Sequence, residues 1–185
     1  MKYPLDEIED GYKFQQIIAE YFRSLKSERH DFHIADIQVD DNGVGCDDGC
    51  DILVEFYFED AIGRHSHKWI IECKSQKQAV NKNNITNNLE MLLNSKAANG
   101  YLLICKNDAT SSLKRTFQDL NKKGNHKYVI WNGSQLWHKF ISRKTFLQAF
   151  FWDYYQENFV NNNAENLFND KIKEFEVELK KTVEK

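Results

Sequence analysis

The chain has 185 residues, a net charge of −3, 41 % hydrophobic residues and one proline. That length fits one domain with a full-sized core, or one domain with a helical extension, and the composition excludes a disordered chain. No apolar run approaches the roughly twenty residues of a membrane span, and the acidic start at residues 1–7 lacks a signal peptide's apolar core. The expected compartment is the cytoplasm.

The small net charge conceals an uneven distribution. Residues 1–60 carry 5 Lys+Arg against 16 Asp+Glu, residues 61–144 carry 15 against 4, and the remainder carries 5 against 8. A middle segment at +11 suits a phosphate-backbone partner, because basic side chains displace condensed counterions. The competing reading is that the acidic and basic segments neutralise each other across the fold.

In chain order, the first predicted element is a helix over 11–25, where Phe14, Ile17, Ile18, Tyr21, Phe22 and Leu25 recur on one face. Gln15 falls at the border of that face, where an amide oxygen can ligate a metal or hold a water. Residues 32–39 alternate well enough for a first strand. A glycine- and aspartate-rich loop over 40–49 then delivers the chain to Asp51, which opens a second strand over 51–58. Asp47 and Asp48 in that loop rival Asp51 as metal ligands; Asp51 is preferred because it leads directly into an apolar strand, and rigid elements hold functional groups better than loops.

Residues 59–67, with Gly63 near the middle, predict a turn that includes His65 and His67. A fold-back centred near Ile62 would set position 51 opposite position 73, in a register the pattern does not fix. The third strand, residues 68–76, carries Glu72, Lys74 and Gln76 on one side and Ile71 and Cys73 on the other. Charged groups on an otherwise interior strand are costly to desolvate, so they form either a structural ion pair or a working site.

After an asparagine-dense stretch, helical spacing appears at Ile85, Leu89, Leu92 and Leu93, ending near Gly100. Residues 101–105 predict a strand. A helix bearing Leu113, Phe117 and Leu120 follows, with N-cap candidates over 107–112 and a stop at Gly124. A strand over 128–131 and a short helix over 133–140 complete a mixed-sheet α/β arrangement with helices on both faces. Residues 1–144 are therefore read as the main domain. Residues 145–185 are read as a C-terminal helical extension, with an aromatic helix over 146–159 and a charged amphipathic helix over 167–183 that could pack, dimerise or lead to a further module.

Cys46, Cys50, Cys73 and Cys105 do not form a disulfide framework, and Cys46-x-x-x-Cys50 with His65-x-His67 departs from the usual Cys-x-x-Cys zinc spacing. Two carboxylates beside a lysine suit a hard divalent cation, Mg²⁺ or Mn²⁺, which keeps several waters and uses few protein carboxylates.

Asp51, a gap of twenty residues, then Glu72-Cys73-Lys74 resembles the Asp...Glu-x-Lys signature of the restriction-endonuclease-like nucleases, in their Mrr-like branch. The segments Asp10-Gly11-Tyr12-Lys13-Phe14, Gly49-Cys50-Asp51, Gln76 and Asn132-Gly133-Ser134-Gln135-Leu136 are also similar to that family's pattern. The likeness spans residues 10–141, with Gln15 standing where these nucleases often carry glutamate. The resemblance implies a restriction-endonuclease-like mixed sheet flanked by helices, and a metal-dependent endonuclease acting on duplex DNA as a prokaryotic restriction or antiviral defence domain.

By that likeness Asp51 and Glu72, with the backbone carbonyl of Cys73 and Gln15 as further donors, hold one or two Mg²⁺ ions that polarise the scissile phosphate and lower the pKa of an attacking water. Lys74 positions that water and offsets developing charge, and Gln76 orients Lys74 or touches a phosphate. The alternative is a catalytically inactive nuclease-fold module that binds DNA or a protein. Cutting both strands usually takes two sites, so a homodimer or a place within a larger multidomain protein is the expected assembly.

Overall fold

A computed structural model describes residues 4–26, 34–41, 49–86 and 88–161. The chain divides into two compact units, Met1–Ser142 and Arg143–Lys185. The first is built on a five-stranded sheet in sequence order: β1 (Ile34–Asp41), β2 (Ile52–Glu59), β3 (Arg64–Lys74), β4 (Gly100–Cys105) and β5 (Lys127–Trp131). The first two pairings are antiparallel and the last two parallel, giving a mixed sheet.

Turn chemistry sets the antiparallel part. The Asp60 carboxylate accepts the N–H groups of Ile62 and Gly63 at 2.8 and 3.1 Å, and Gly63 adopts φ 149°, closing a tight reversal between Glu59 and Arg64. The turn is shorter than the 59–67 segment predicted, so His65 and His67 lie on β3, where both rings meet Phe58 at 5.5 and 5.4 Å. Parallel pairing needs crossovers, and α2 (Leu89–Ser95) and α3 (Ser111–Lys123) supply them. Every residue of β4 is buried, as expected of a central strand covered on both faces.

The two faces have distinct partners. On one, α1 (Gly11–Ser24) buries Phe14, Ile17, Ile18, Tyr21 and Phe22, with the Phe22 ring against Phe56 and Trp131. The helix α4 (Gly133–Ile141) joins that layer through Phe140, 5.2 Å from Tyr21. On the other, Ile70, Tyr101, Leu103 and Cys105 pack with Leu89, Leu92 and Leu93 of α2 and Leu113 and Phe117 of α3. Side-chain caps fix the helix starts: Asp10 for α1, Thr110 for α3, and an Asn132–Gln135 capping box for α4.

The second unit departs from the single aromatic helix predicted over 146–159. It forms α5 (Lys144–Phe150) and α6 (Trp152–Tyr155), followed by a π-helical turn over Gln156–Asn161. The break falls at Phe151, whose φ of −136° and ψ of 53° leave the helical region and whose ring is buried near Phe146. The helix predicted over 167–183 lies outside the described residues.

Part of the positive middle segment is balanced by acids of the first sixty residues. Arg64 reaches Asp36 at 4.0 Å, Lys68 reaches Glu55 at 3.6 Å and Lys77 reaches Glu9 at 3.6 Å. No described helix is long and apolar enough to cross a membrane.

Candidate active site

Four chain segments converge at one corner of the sheet: the end of β3, the approach to β2, the end of β1 and the first turn of α1. The alternation along β3 puts Glu72 and Lys74 on the same face, where Lys74 Nζ lies 2.7 Å from Glu72 Oε1. Glu72 is 2 % exposed. Its second oxygen, Oε2, accepts the hydroxyl of Tyr101 from β4, and the Thr86 backbone N–H also donates to the carboxylate.

Asp51 arrives from the loop before β2. The β2–β3 ladder pairs Ile52 with Ile71, one residue out of the register that would set 51 opposite 73. The difference follows from the Asp60–Gly63 turn, which is centred half a residue before Ile62. Asp51 N–H donates to the Ile71 carbonyl at 3.0 Å, and it is the Asp51 side chain that reaches residue 73, Oδ2 accepting the Cys73 N–H at 2.6 Å. Gly49, two residues earlier, has φ 76°, and a Cβ there would lie 3.0 Å from Thr86 Cβ and 3.3 Å from Glu72 Oε2. The approach thus passes close behind the Glu72 carboxylate.

Gln15 also reaches this corner. Its Nε2 donates to Asp41 Oδ1 at 2.6 Å and to the Asp51 carbonyl at 3.0 Å, and the residue is buried. Both partners are acceptors, which orients the amide with nitrogen toward them and oxygen away. Asp41, at the end of β1, is a participant the sequence reading missed. It lies in an acidic stretch where nothing singles it out, and the available signal was its place at the end of a strand paired with β2.

Gln76 is arranged differently from expectation. β3 ends at Lys74, so the alternation that would carry Gln76 onto the Glu72 face stops before it. Its amide donates to the carbonyls of Gln78 and Ala79 at 3.3 and 3.5 Å and to Asn84 Oδ1 at 3.4 Å, bracing the loop that follows. Asp47, Asp48 and Cys46 lie outside the described residues.

Burial raises the pKa of both carboxyls. For Glu72 desolvation is the largest influence, opposed by the Lys74 ammonium and the Thr86 N–H and reinforced by Asp51. For Asp51 desolvation again leads, opposed by the Cys73 N–H and Lys74 and reinforced by Asp41. Among the described residues no group of three or more His, Cys, Asp or Glu side chains is gathered tightly enough to cage an ion. The donors present are oxygens of two mutually repelling, partly desolvated carboxylates, a set that fits a hard divalent ion retaining most of its waters.

These shifts have a sign that can be tested. A carboxyl whose folded pKa is raised binds its proton more tightly when folded, so its destabilising effect is absent below the unfolded value, near 3.8 for Asp51, and grows as pH rises through the folded value. Asp51→Asn should therefore make metal-free protein more stable at pH 8, by about 1 kcal/mol, the scale of relieving active-site strain. Thermal melts in EDTA should show that advantage shrinking toward pH 4. Equal melting temperatures across the range would contradict the assignment.

The comparisons with known proteins agree with this architecture. The structure of the DNA modification-dependent restriction endonuclease AspBHI superposes with a TM-score of 0.51 at 14 % sequence identity, covering 77 % of this chain and 36 % of that one. This chain thus corresponds to about a third of that protein's length, and the likeness shows a shared restriction-endonuclease-like fold: a mixed five-stranded sheet flanked by helices. No curated protein matches the sequence significantly. Residues 5–139 match the Mrr catalytic-domain model, described as restriction endonuclease, and that span includes Gln15, Asp41, Asp51, Glu72, Lys74 and Tyr101. The chain belongs to the restriction endonuclease family of Mrr catalytic domains.

Proposed function

We propose that this chain is a metal-dependent endonuclease that hydrolyses phosphodiester bonds of double-stranded DNA, serving as a prokaryotic restriction or antiviral defence domain. Family and fold support a DNA nuclease. The observation that carries the finer reading is the Asp51, Glu72 and Lys74 constellation: an ammonium 2.7 Å from a buried carboxylate, beside a second carboxylate of raised pKa.

Asp51 and Glu72 would hold Mg²⁺ or Mn²⁺, with the Gln15 amide oxygen and the Cys73 backbone carbonyl as further donors. When bound, the ion supplies positive charge at the scissile phosphate and makes an attacking water more acidic. Cys73 N–H holds Asp51 Oδ2, and Gln15 Nε2 ties the Asp51 backbone to Asp41, so the ligands are fixed before substrate arrives. The Lys74 side chain is 29 % exposed, so its ammonium sits where the buried acids meet solvent. From there Nζ donates to a phosphate oxygen or holds the attacking water, and it offsets charge developing on the phosphorane. Gln76 acts one step away, shaping the loop that carries the exposed Lys77 and Lys82.

Supercoiled plasmid incubated with the protein should be nicked or linearised with Mg²⁺ or Mn²⁺ and stay intact in EDTA. Plasmid left intact under every metal condition would contradict the proposal. A second reading, a binding module on a nuclease fold, draws on one observation: Lys74 and Tyr101 between them engage both oxygens of Glu72. Such a module would retard duplex DNA on a gel without metal-dependent turnover.

A further inference from the structure

Besides the Thr86 backbone N–H, two side chains of opposite character hold the oxygens of Glu72. Oε1 meets the ammonium of Lys74, a flexible side chain partly open to solvent. Oε2 meets the hydroxyl of Tyr101, a residue with no solvent exposure. The Tyr101 ring is locked edge-to-face against Phe117 at 5.9 Å, and Phe117 in turn against Tyr128 at 5.9 Å. The strand register explains the reach: Tyr101 pairs with Ile70 and Leu103 with Glu72, so Tyr101 lies on the Glu72 face one diagonal step away. Gly49 borders the same niche, where a Cβ would lie 3.3 Å from Oε2.

Phenylalanine would fill the ring's place as well, and a buried hydroxyl costs stability unless it is bonded. The hydroxyl's bond is to one oxygen of a candidate metal ligand. A rigid buried donor on one oxygen and a mobile, exchangeable one on the other make the carboxylate asymmetric.

We propose that Tyr101 is a positioning residue for Glu72: its hydroxyl fixes Oε2, leaving Oε1 as the oxygen that exchanges the Lys74 ammonium for a divalent cation. This rests on the reading of Asp51 and Glu72 as cation ligands. Tyr101 touches neither substrate nor cation and acts only through the carboxylate. Apart from any catalysis, the arrangement makes metal affinity depend on a hydroxyl buried beneath the α3 side of the sheet.

The test is Mn²⁺ binding to the full chain by calorimetry, without DNA. Tyr101→Phe keeps the aromatic packing and should lower Mn²⁺ affinity about tenfold, the lower end of losses seen when a partner of a metal ligand is removed. In plasmid cleavage the same variant should need about tenfold more Mn²⁺ for half-maximal rate, with kcat recovered at saturating Mn²⁺ and KM for DNA unchanged. A loss of folded protein would instead lower kcat at every metal concentration. Placing p-aminophenylalanine at 101 restores a donor on the same ring and should return Mn²⁺ affinity to within about threefold of the parent, which also covers the case of a poorly folding phenylalanine variant. A folded Tyr101→Phe protein that binds Mn²⁺ as the parent does would overturn the role of Tyr101 and leave the cation site standing. A parent protein that binds no Mn²⁺ would overturn the cation site itself.

Discussion

Replacing Lys74 with alanine should leave duplex DNA binding intact and lower Mg²⁺-dependent cleavage by at least about a hundredfold, the usual cost of removing one preorganised charge-stabilising donor. The substitution removes an ammonium that lies 2.7 Å from Glu72 Oε1 and can reach a phosphate from the pocket's edge. Binding should survive because phosphate contacts are spread over many basic side chains, each contributing a modest share. Lys74→Arg should rescue poorly, since a planar guanidinium fork does not reproduce a compact ammonium. Gel retardation and plasmid cleavage on one preparation separate the two effects. Cleavage at the parent rate in Lys74→Ala would remove Lys74 from the mechanism.

The largest expected effect on stability lies at Gly133, the first residue of α4. A Cβ there would sit 1.9 Å from the Lys106 carbonyl oxygen, far inside contact distance and against backbone with little freedom to yield. The Gly133 N–H donates to the Asn107 carbonyl at 2.8 Å, so the helix cannot lift away without losing that bond. Lys106 is itself buried, its Nζ donating to the carbonyls of Asp6 and Ile8 at 3.1 and 2.6 Å. The clash would therefore propagate to the N-terminal segment. Gly133→Ala should cost about 3 kcal/mol or more, at the upper end for overpacking. Urea denaturation checks it, and a shift below about 1 kcal/mol would show that the α4 start relaxes easily.

The site was legible to different depths in different places. Glu72 and Lys74 could be placed together because strand alternation is a strict rule and both fall inside an apolar run. Asp51 is preferred to its loop neighbours because it leads into a strand, while Asp47 and Asp48 lie outside the described residues. How it meets β3 was beyond the pattern: register depends on where the turn is centred, and half a residue converts backbone pairing at 73 into a side-chain bond to the Cys73 N–H. The third strand was drawn two residues too long, to Gln76, since alternation carries no mark of where a strand stops. Asp41 and Tyr101 were invisible as site residues: one sits among many acids, and the other begins an apolar strand whose hydroxyl has no signature along the chain. The aromatic stripe over 146–159 predicted helix correctly in kind, but periodicity does not reveal a break at Phe151.

Whether Asp51 and Glu72 share one cation is decided by a crystal soaked in Mn²⁺ and measured near the manganese absorption edge. An anomalous peak should lie within coordinating distance of both the Asp51 and Glu72 carboxylates, with the Lys74 ammonium moved off Glu72 Oε1. Full-occupancy Mn²⁺ elsewhere in the molecule, with Lys74 still paired to Glu72, would contradict a shared cation.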